Sequence, residues 1–299
     1  MFVLLLLSFL QPPAAPAPAA APPPDTEIYF APLAVDANRA TVGKPVNISQ
    51  SPGYDNQPSF TPDGRSILFT SIRGGTQTDI YRYDIAGASV SRVTDTPQSE
   101  YSATITPDGA HISVIRVEPD QTQRLWRFTR EGRQPELVLA NIKPVGYHAW
   151  ADDNTLALFV LGQPATLQLA DVRSGAARVI LSGIGRSLQR IPGRSTISVV
   201  ERVAGADTAA APKLFVRELD PKSGQTTPLV EVVAGAREAD LAWTPDGVLL
   251  MVEKDVLYGW RRGDSGWRKL TELVPLGLHG VSRIAVSPAG DRIAFVAQP

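Results

Sequence analysis

The sequence predicts an all-β, six-bladed β-propeller of four-stranded blades, its ring closed by N-terminal strands that complete the last blade. Three observations carry this reading. A tight-turn signature recurs on a fixed beat, each beat holds four strand signals, and the two ends of the repeat region carry complementary half-blades. The signature reads Ser-Phe-Thr-Pro-Asp-Gly at Ser59–Gly64, Thr-Ile-Thr-Pro-Asp-Gly at Thr104–Gly109 and Ala-Trp-Thr-Pro-Asp-Gly at Ala242–Gly247. Weaker copies stand at Ala149–Asn154 and Ala285–Gly290. The residue two before the proline position is Phe60, Ile105, Trp150, Trp243 and Val286, with gaps of 45, 45, 93 and 43 residues. The long gap is two periods with a copy hidden at Gln189–Val200, where Ile-Pro-Gly keeps the turn and loses the aspartate. A repeat of roughly 40–50 residues signals a propeller or a solenoid.

The first full period shows the contents of one blade. Pro58–Thr61 reads as a strand, and Pro62-Asp63-Gly64 as a tight turn in which proline presets φ and glycine supplies the unusual one. Ile67–Thr70 is a second, apolar strand, Ile80–Tyr83 alternates as a third, and Val90–Thr94 is a fourth beyond a hairpin at Gly87. Third strands recur at Leu125–Phe128, Leu167–Leu169, Leu214–Arg217 and Val256–Trp260. Fourth strands recur at Leu137–Leu139, Arg178–Leu181, Pro228–Val230 and Arg268–Thr271, with hairpin glycines at Gly132, Gly175, Gly224 and Gly266. No stretch carries apolar residues at helical spacing over ten or more positions, so helical repeats are excluded. Four short strands per period describe a propeller blade.

The last copy has two strands, Ile284–Ser287 and Arg292–Val296. Its missing pair is found near the other end: Glu27–Phe30 matches Asp79–Arg82, and Asn47–Pro52 matches Arg92–Pro97. A blade built from both ends closes the ring and removes exposed sheet edges.

Phe2–Leu10 is a nine-residue apolar run, too short for a bilayer, which needs about 20 residues. An Ala/Pro tract with Ala17-Pro18-Ala19 follows it, the pattern of a secretory signal peptide, although no Lys or Arg precedes the run. The expected organisation is a signal peptide over 1–19, an Ala/Pro-rich linker over 20–25 and the propeller over 26–299. The product is then periplasmic or secreted and not membrane-spanning. Net charge is −1 and no basic stripe exists, which argues against nucleic acid. The absence of cysteine excludes disulfides, a thiol nucleophile and thiolate metal sites.

Ser59–Ser71 followed by Asp79-Ile80-Tyr81 resembles the repeat of TolB-type β-propellers: an aromatic, Ser/Thr-Pro-Asp-Gly, a basic residue, an apolar strand, then Ile-Tyr. The resemblance extends over about residues 26–299 and is closest in the first two periods. It implies the propeller alone, without the α/β domain that precedes it in TolB, and an envelope or secreted protein or peptide as partner. Related repeats occur in prolyl-oligopeptidase-type enzymes and secreted lyases, so the resemblance specifies fold more sharply than function.

The turn aspartates Asp63, Asp108, Asp153 and Asp246 read as turn chemistry, because Asp in a tight turn accepts backbone N–H groups. The loops that enter each first strand surround one mouth of the channel. They bring Tyr54, Asp55, Glu100, Tyr101, Tyr147, His148, Arg186, Glu238, Asp240, His279 and Arg283 towards one another as a partner-binding mouth. No metal-binding His spacing and no Gly-x-Ser-x-Gly elbow is present. Trp150 and Trp243 occupy the position expected to pack between blades. The expected function is a non-enzymatic, monomeric binding propeller with no catalytic residue, cofactor or metal. The alternative is a secreted hydrolase or lyase holding a divalent cation such as calcium on Asp55, Glu100 and Glu238 with His148.

Overall fold

The computed structural model describes residues 23–36, 39–205 and 212–299. The signal peptide and most of the linker expected at the N-terminus lie outside these residues. Among the described residues the strands form six antiparallel sheets, one per blade, arranged as a ring. Blade 1 runs through Asp55–Phe60, Ser66–Ser71, Asp79–Asp84 and Ser89–Arg92. Blade 2 holds Ser99–Ile105, His111–Val117, Gln123–Thr129 and Glu136–Leu137, and blade 3 holds Val145–Trp150, Thr155–Val160, Thr166–Asp171 and Ala177–Ser182. Blade 4 is Ile184–Arg190, Ile197–Val203, Lys213–Leu219 and Thr226–Glu231, and blade 5 is Leu241–Trp243, Val248–Glu253, Val256–Arg261 and Arg268–Glu272. The degenerate copy is therefore a full blade.

Blade 6 joins the two ends of the chain. Arg283–Val286 and Arg292–Ala297 are its inner strands, and Glu27–Val35 pairs antiparallel with the latter from Glu27↔Ala297 to Pro32↔Arg292. Its outer edge differs from the expected single fourth strand. Val46–Asn47 pairs near Tyr29, while Ala40–Val42 folds back on the far end of the same nine-residue strand. The long third strand outruns a two-residue partner, and the hairpin covers the remainder of its edge.

The second strand of each blade packs against both neighbouring sheets, which is why it reads as an apolar-rich run; all six residues of Ser66–Ser71 are buried. Among the described residues six apolar clusters occur, one at each seam of the ring. Leu68 and Ile80 meet Ile112 and Phe128 between blades 1 and 2, and Ile28 and Ala294 meet Ile67 and Phe69 where blade 6 returns to blade 1. Trp150 and Trp243 are seam residues as expected. Each indole N–H donates across the seam at 2.9 Å, to Ser113 and Ser198 respectively.

The turn signature has a specific bonding pattern. Thr61 Oγ1 donates to Asp63 at 2.6 Å and accepts the Ser66 N–H at 3.0 Å, while Asp63 also accepts the Arg65 N–H at 3.1 Å. Thr106 with Asp108 repeats this arrangement, and Thr244 with Asp246 repeats its two threonine bonds. These bonds hold the Asp63 and Asp108 carboxyls below their ordinary pKa, so both are turn chemistry. Blade 3 departs from the expectation. Asp152, not Asp153, accepts the turn N–H groups, from Asn154 and Thr155, because the proline slot itself carries the carboxylate there.

Candidate functional site

The six inner strands wall a central cavity of about 700 Å³. At one end stand prolines from the first turns of five blades: Pro62, Pro107, Pro192, Pro245 and Pro288. Below them lies a collar of the residues that mark the repeat: Phe60, Ile105, Trp150, Trp243 and Val286. Blade 4 interrupts this collar, since Arg190 holds the equivalent position.

The far end of the cavity is polar. One residue from each blade converges there: Tyr54, Tyr101, Tyr147, Arg186, Asp240 and Arg283 in blade order. Tyr54 lies within electrostatic reach of Arg283, Tyr147, Tyr101 and Arg186. Burial pushes its hydroxyl up to about 12, Arg283 opposing and the neighbouring tyrosines adding, so it remains a hydrogen-bond donor at neutral pH. Arg283 Nη2 donates to the Tyr147 hydroxyl at 2.7 Å and Nη1 to Asp240 at 3.2 Å. Blades 3 and 6 face each other across a six-bladed ring, so the first of these bonds is a strut across the bore. Arg186 sits 3.7 Å from Glu238 and 3.8 Å from Asp240, beyond hydrogen-bonding distance, and its buried Nε has no hydrogen-bond partner.

Of the eleven residues expected at the mouth, Tyr147, His148, Arg186, Asp240 and Arg283 line the cavity. Tyr54 and Tyr101 stand at its polar end. The other four are placed elsewhere. Asp55 is fully buried against the Arg73 guanidinium at 3.7 Å, and burial raises its carboxyl to about 6. Glu100 is its counterpart in blade 2, fully buried beside Arg116 at 3.4 Å and raised by burial to about 7. Glu238 is exposed and pairs with Arg202 at 2.9 Å, and His279 is an exposed loop residue. The ligand set of the metal-dependent alternative is thus not assembled: Asp55, Glu100 and Glu238 each face a different arginine. Among the described residues no group of three or more His, Asp or Glu side chains is placed to hold a metal ion.

His148 is 2.8 Å from Ser113 Oγ through its Nε2, a distance at which hydrolases pair a base with a nucleophile. The surroundings oppose that role. Ser113 is fully buried and already accepts the Trp150 indole N–H, and His148 Nδ1 has no hydrogen-bond partner to orient the ring. Burial holds the imidazole neutral by pushing it down to about 4.

Several wall residues escaped the sequence reading. Gln57 and Ser102 have φ of 57° and 55° at bulges in the first strands of blades 1 and 2. Gln57 Oε1 accepts the Ser102 N–H at 2.7 Å, which ties the two blades together at the cavity. Nothing in Gln or Ser announces a left-handed backbone. Arg190 did carry a signal, because it replaces an apolar residue at the marker position of the hidden copy.

The profile of the TolB beta propeller domain matches residues 27–187, more than half of the chain. The chain belongs to the TolB beta propeller domain family. A solved structure from Agrobacterium tumefaciens, described provisionally as TolB, superposes with a TM-score of 0.66 at 18% identity, over 92% of this chain and 99% of that one. Dipeptidyl-peptidase 5 of Porphyromonas gingivalis is 27% identical over 165 residues, 50% of this chain and 23% of that protein. The Tol-Pal system protein TolB of Bordetella pertussis is 68% identical over 28 residues, 9% of this chain and 6% of its own length. The chain thus spans about a quarter or less of the curated relatives it matches. Among the described residues no helix is long and apolar enough to cross a membrane.

Proposed function

We propose that this TolB-family propeller is an exported binding module, periplasmic or secreted, that captures a protein or peptide in its central cavity without chemistry. Residues 1–19 would direct export and residues 20–25 would link the leader to the ring. The observation that carries this reading is the two-tier cavity. An apolar collar of one marker residue per blade, broken by Arg190, leads to a polar ring. Such a surface suits an extended segment whose apolar side chains meet the collar and whose polar end reaches the ring. The cavity's charges favour this over the metal-dependent hydrolase or lyase. Arg186, Arg190 and Arg283 line it against a single lining carboxylate, Asp240, a poor environment for a hard cation.

A photo-crosslinking side chain at Val286, in the collar, tests the proposal against the same probe at Val179, which is 59% exposed on the outer strand of blade 3. Covalent capture of one protein or peptide from the envelope at Val286, and not at Val179, is the expected result. Equal labelling at both positions would count against the cavity. Substrate turnover by the purified protein, together with a melting temperature that falls on chelation, would favour the enzyme instead.

A further inference from the structure

We propose that the polar end of the cavity is a carboxylate-binding subsite, with Arg186 as its principal donor and Arg190 as the cationic approach to it. This inference deepens the binding reading above and rests on it.

Four observations converge. The lining charges are three arginines against one aspartate, so the cavity attracts anions. The two ring arginines are used differently. Arg283 is committed to Tyr147 and Asp240, whereas Arg186 makes no hydrogen bond to either neighbouring carboxylate and keeps a buried Nε without a partner. A buried guanidinium N–H left unpartnered is costly, and a ligand carboxylate is the group that its planar fork fits best. Next, the Tyr54 and Tyr101 hydroxyls make no hydrogen bond to protein among the described residues, and Tyr54 lies within electrostatic reach of Arg186, which leaves its O–H free to donate to a carboxylate held there. Finally, Arg186 and Arg190 lie four residues apart on the strand Ile184–Arg190 and both line the cavity. A register shift between Ile184 and Leu188 interrupts the strand's alternation, and the cavity lining itself brings both arginines to the bore. Arg190 takes part in no ion pair among the described residues, so its charge is free to draw a carboxylate inward. The degenerate blade is therefore the one that supplies the cation track.

A carboxylate could come from a peptide C-terminus or from an Asp or Glu side chain, and three synthetic hexapeptide libraries separate these sources. All are N-acetylated and built from apolar residues. The first ends in a free carboxylate, the second is amidated and contains one Glu, and the third is amidated and has no acid. Binding to the full chain is read by calorimetry and by the fluorescence of Trp150 and Trp243 in the cavity wall. One of the first two libraries should bind at least about tenfold more tightly than the third, with the advantage shrinking as salt is added. Arg186→Gln should abolish the advantage while melting like the wild type, and Arg186→Lys should restore part of it. Arg190→Gln, at an exposed position, should slow association and melt like the wild type.

Equal binding of all three libraries, or an advantage that survives Arg186→Gln, overturns the subsite and leaves the cavity as an apolar dock. No binding by any library also overturns it, and the Val286 crosslink then decides separately whether the docking reading stands.

Discussion

Glu100 shows what a single buried group does in this ring. Its carboxyl lies between blades with no exposure, one oxygen held by Thr96 Oγ1 at 2.6 Å and the other unpartnered. Burial raises its pKa to about 7, although Thr96 and Arg116 favour the ionised form. The sign follows from proton linkage. In the pH range above the ordinary carboxylate value the folded chain binds the proton and the unfolded chain does not. Stability contributed by this group is therefore present at low pH and lost as pH rises to about 7. Asp55, raised to about 6, adds to the same slope over a lower window. Glu100→Gln keeps the shape and cannot ionise. It should remove part of the fall between pH 5 and 8 and be more stable than wild type at pH 8, by on the order of 1–3 kcal/mol. Urea unfolding at several pH values measures this, and an unchanged slope would mean that the buried charge is not penalised.

Hairpins between third and fourth strands show how local rules meet packing. Glycine at Gly132, Gly175 and Gly224 adopts φ of 74°, 68° and 77°, as the turn chemistry leads one to expect. In blade 1 the left-handed residue is Ala88 rather than Gly87, and in blade 5 it is Gly263 rather than Gly266. A hairpin needs one such position, but the loop length decides which residue occupies it, and proximity to a glycine does not. Gly132 carries a second constraint, because a Cβ there would collide with the Val93 carbonyl of the neighbouring blade, whereas one at Gly109, also left-handed at 71°, meets nothing within 4 Å. Gly109→Ala should therefore cost about 1 kcal/mol from backbone strain alone. Gly132→Ala should cost roughly 2 kcal/mol more, since the blades must part, and thermal unfolding of the two variants compares them.

Closure is a property of the whole ring. Blade 6 depends on the pairing of Glu27–Val35 with Arg292–Ala297, and Ile28 fills the seam to blade 1 with no exposed surface. Its backbone N–H donates to Ser49 Oγ at 2.8 Å, and Ile80 N–H donates to Thr94 Oγ1 at 2.9 Å at the equivalent place in blade 1. Ile28→Asp would place a carboxylate in this closed seam and should destabilise by about 3–5 kcal/mol, opening the ring. Val46→Asp, on the outer edge where the valine is 52% exposed, should change stability by less than about 0.5 kcal/mol. Melting curves with protease susceptibility report both, and a cooperative wild-type melt for Ile28→Asp would show that the last blade does not hold the ring closed.

The beat of Thr-Pro-Asp-Gly, the apolar second strands and the matching half-blades settled class, blade count and closure, because turns and doubly buried strands impose local residue choices that survive without their neighbours. Trp150 and Trp243 were legible as seam residues for the same reason. The candidate site was only half legible. Loops entering the first strands did contain the ring residues Tyr54, Tyr101, Tyr147, Arg186, Asp240 and Arg283, yet the sequence could not separate them from Asp55, Glu100, Glu238 and His279. Strand direction and bulges decide that separation. A residue's place along an inner strand sets whether it meets the bore, a seam or the solvent, and the bulges at Gln57 and Ser102 shift that phase without a sequence mark. The strut from Arg283 to Tyr147 joins residues 136 positions apart, and only closure of the ring brings them within hydrogen-bonding distance. The Pro-Asp-Gly repeat thus belongs to the chain's local code, while the charge and shape of the cavity belong to the closed ring.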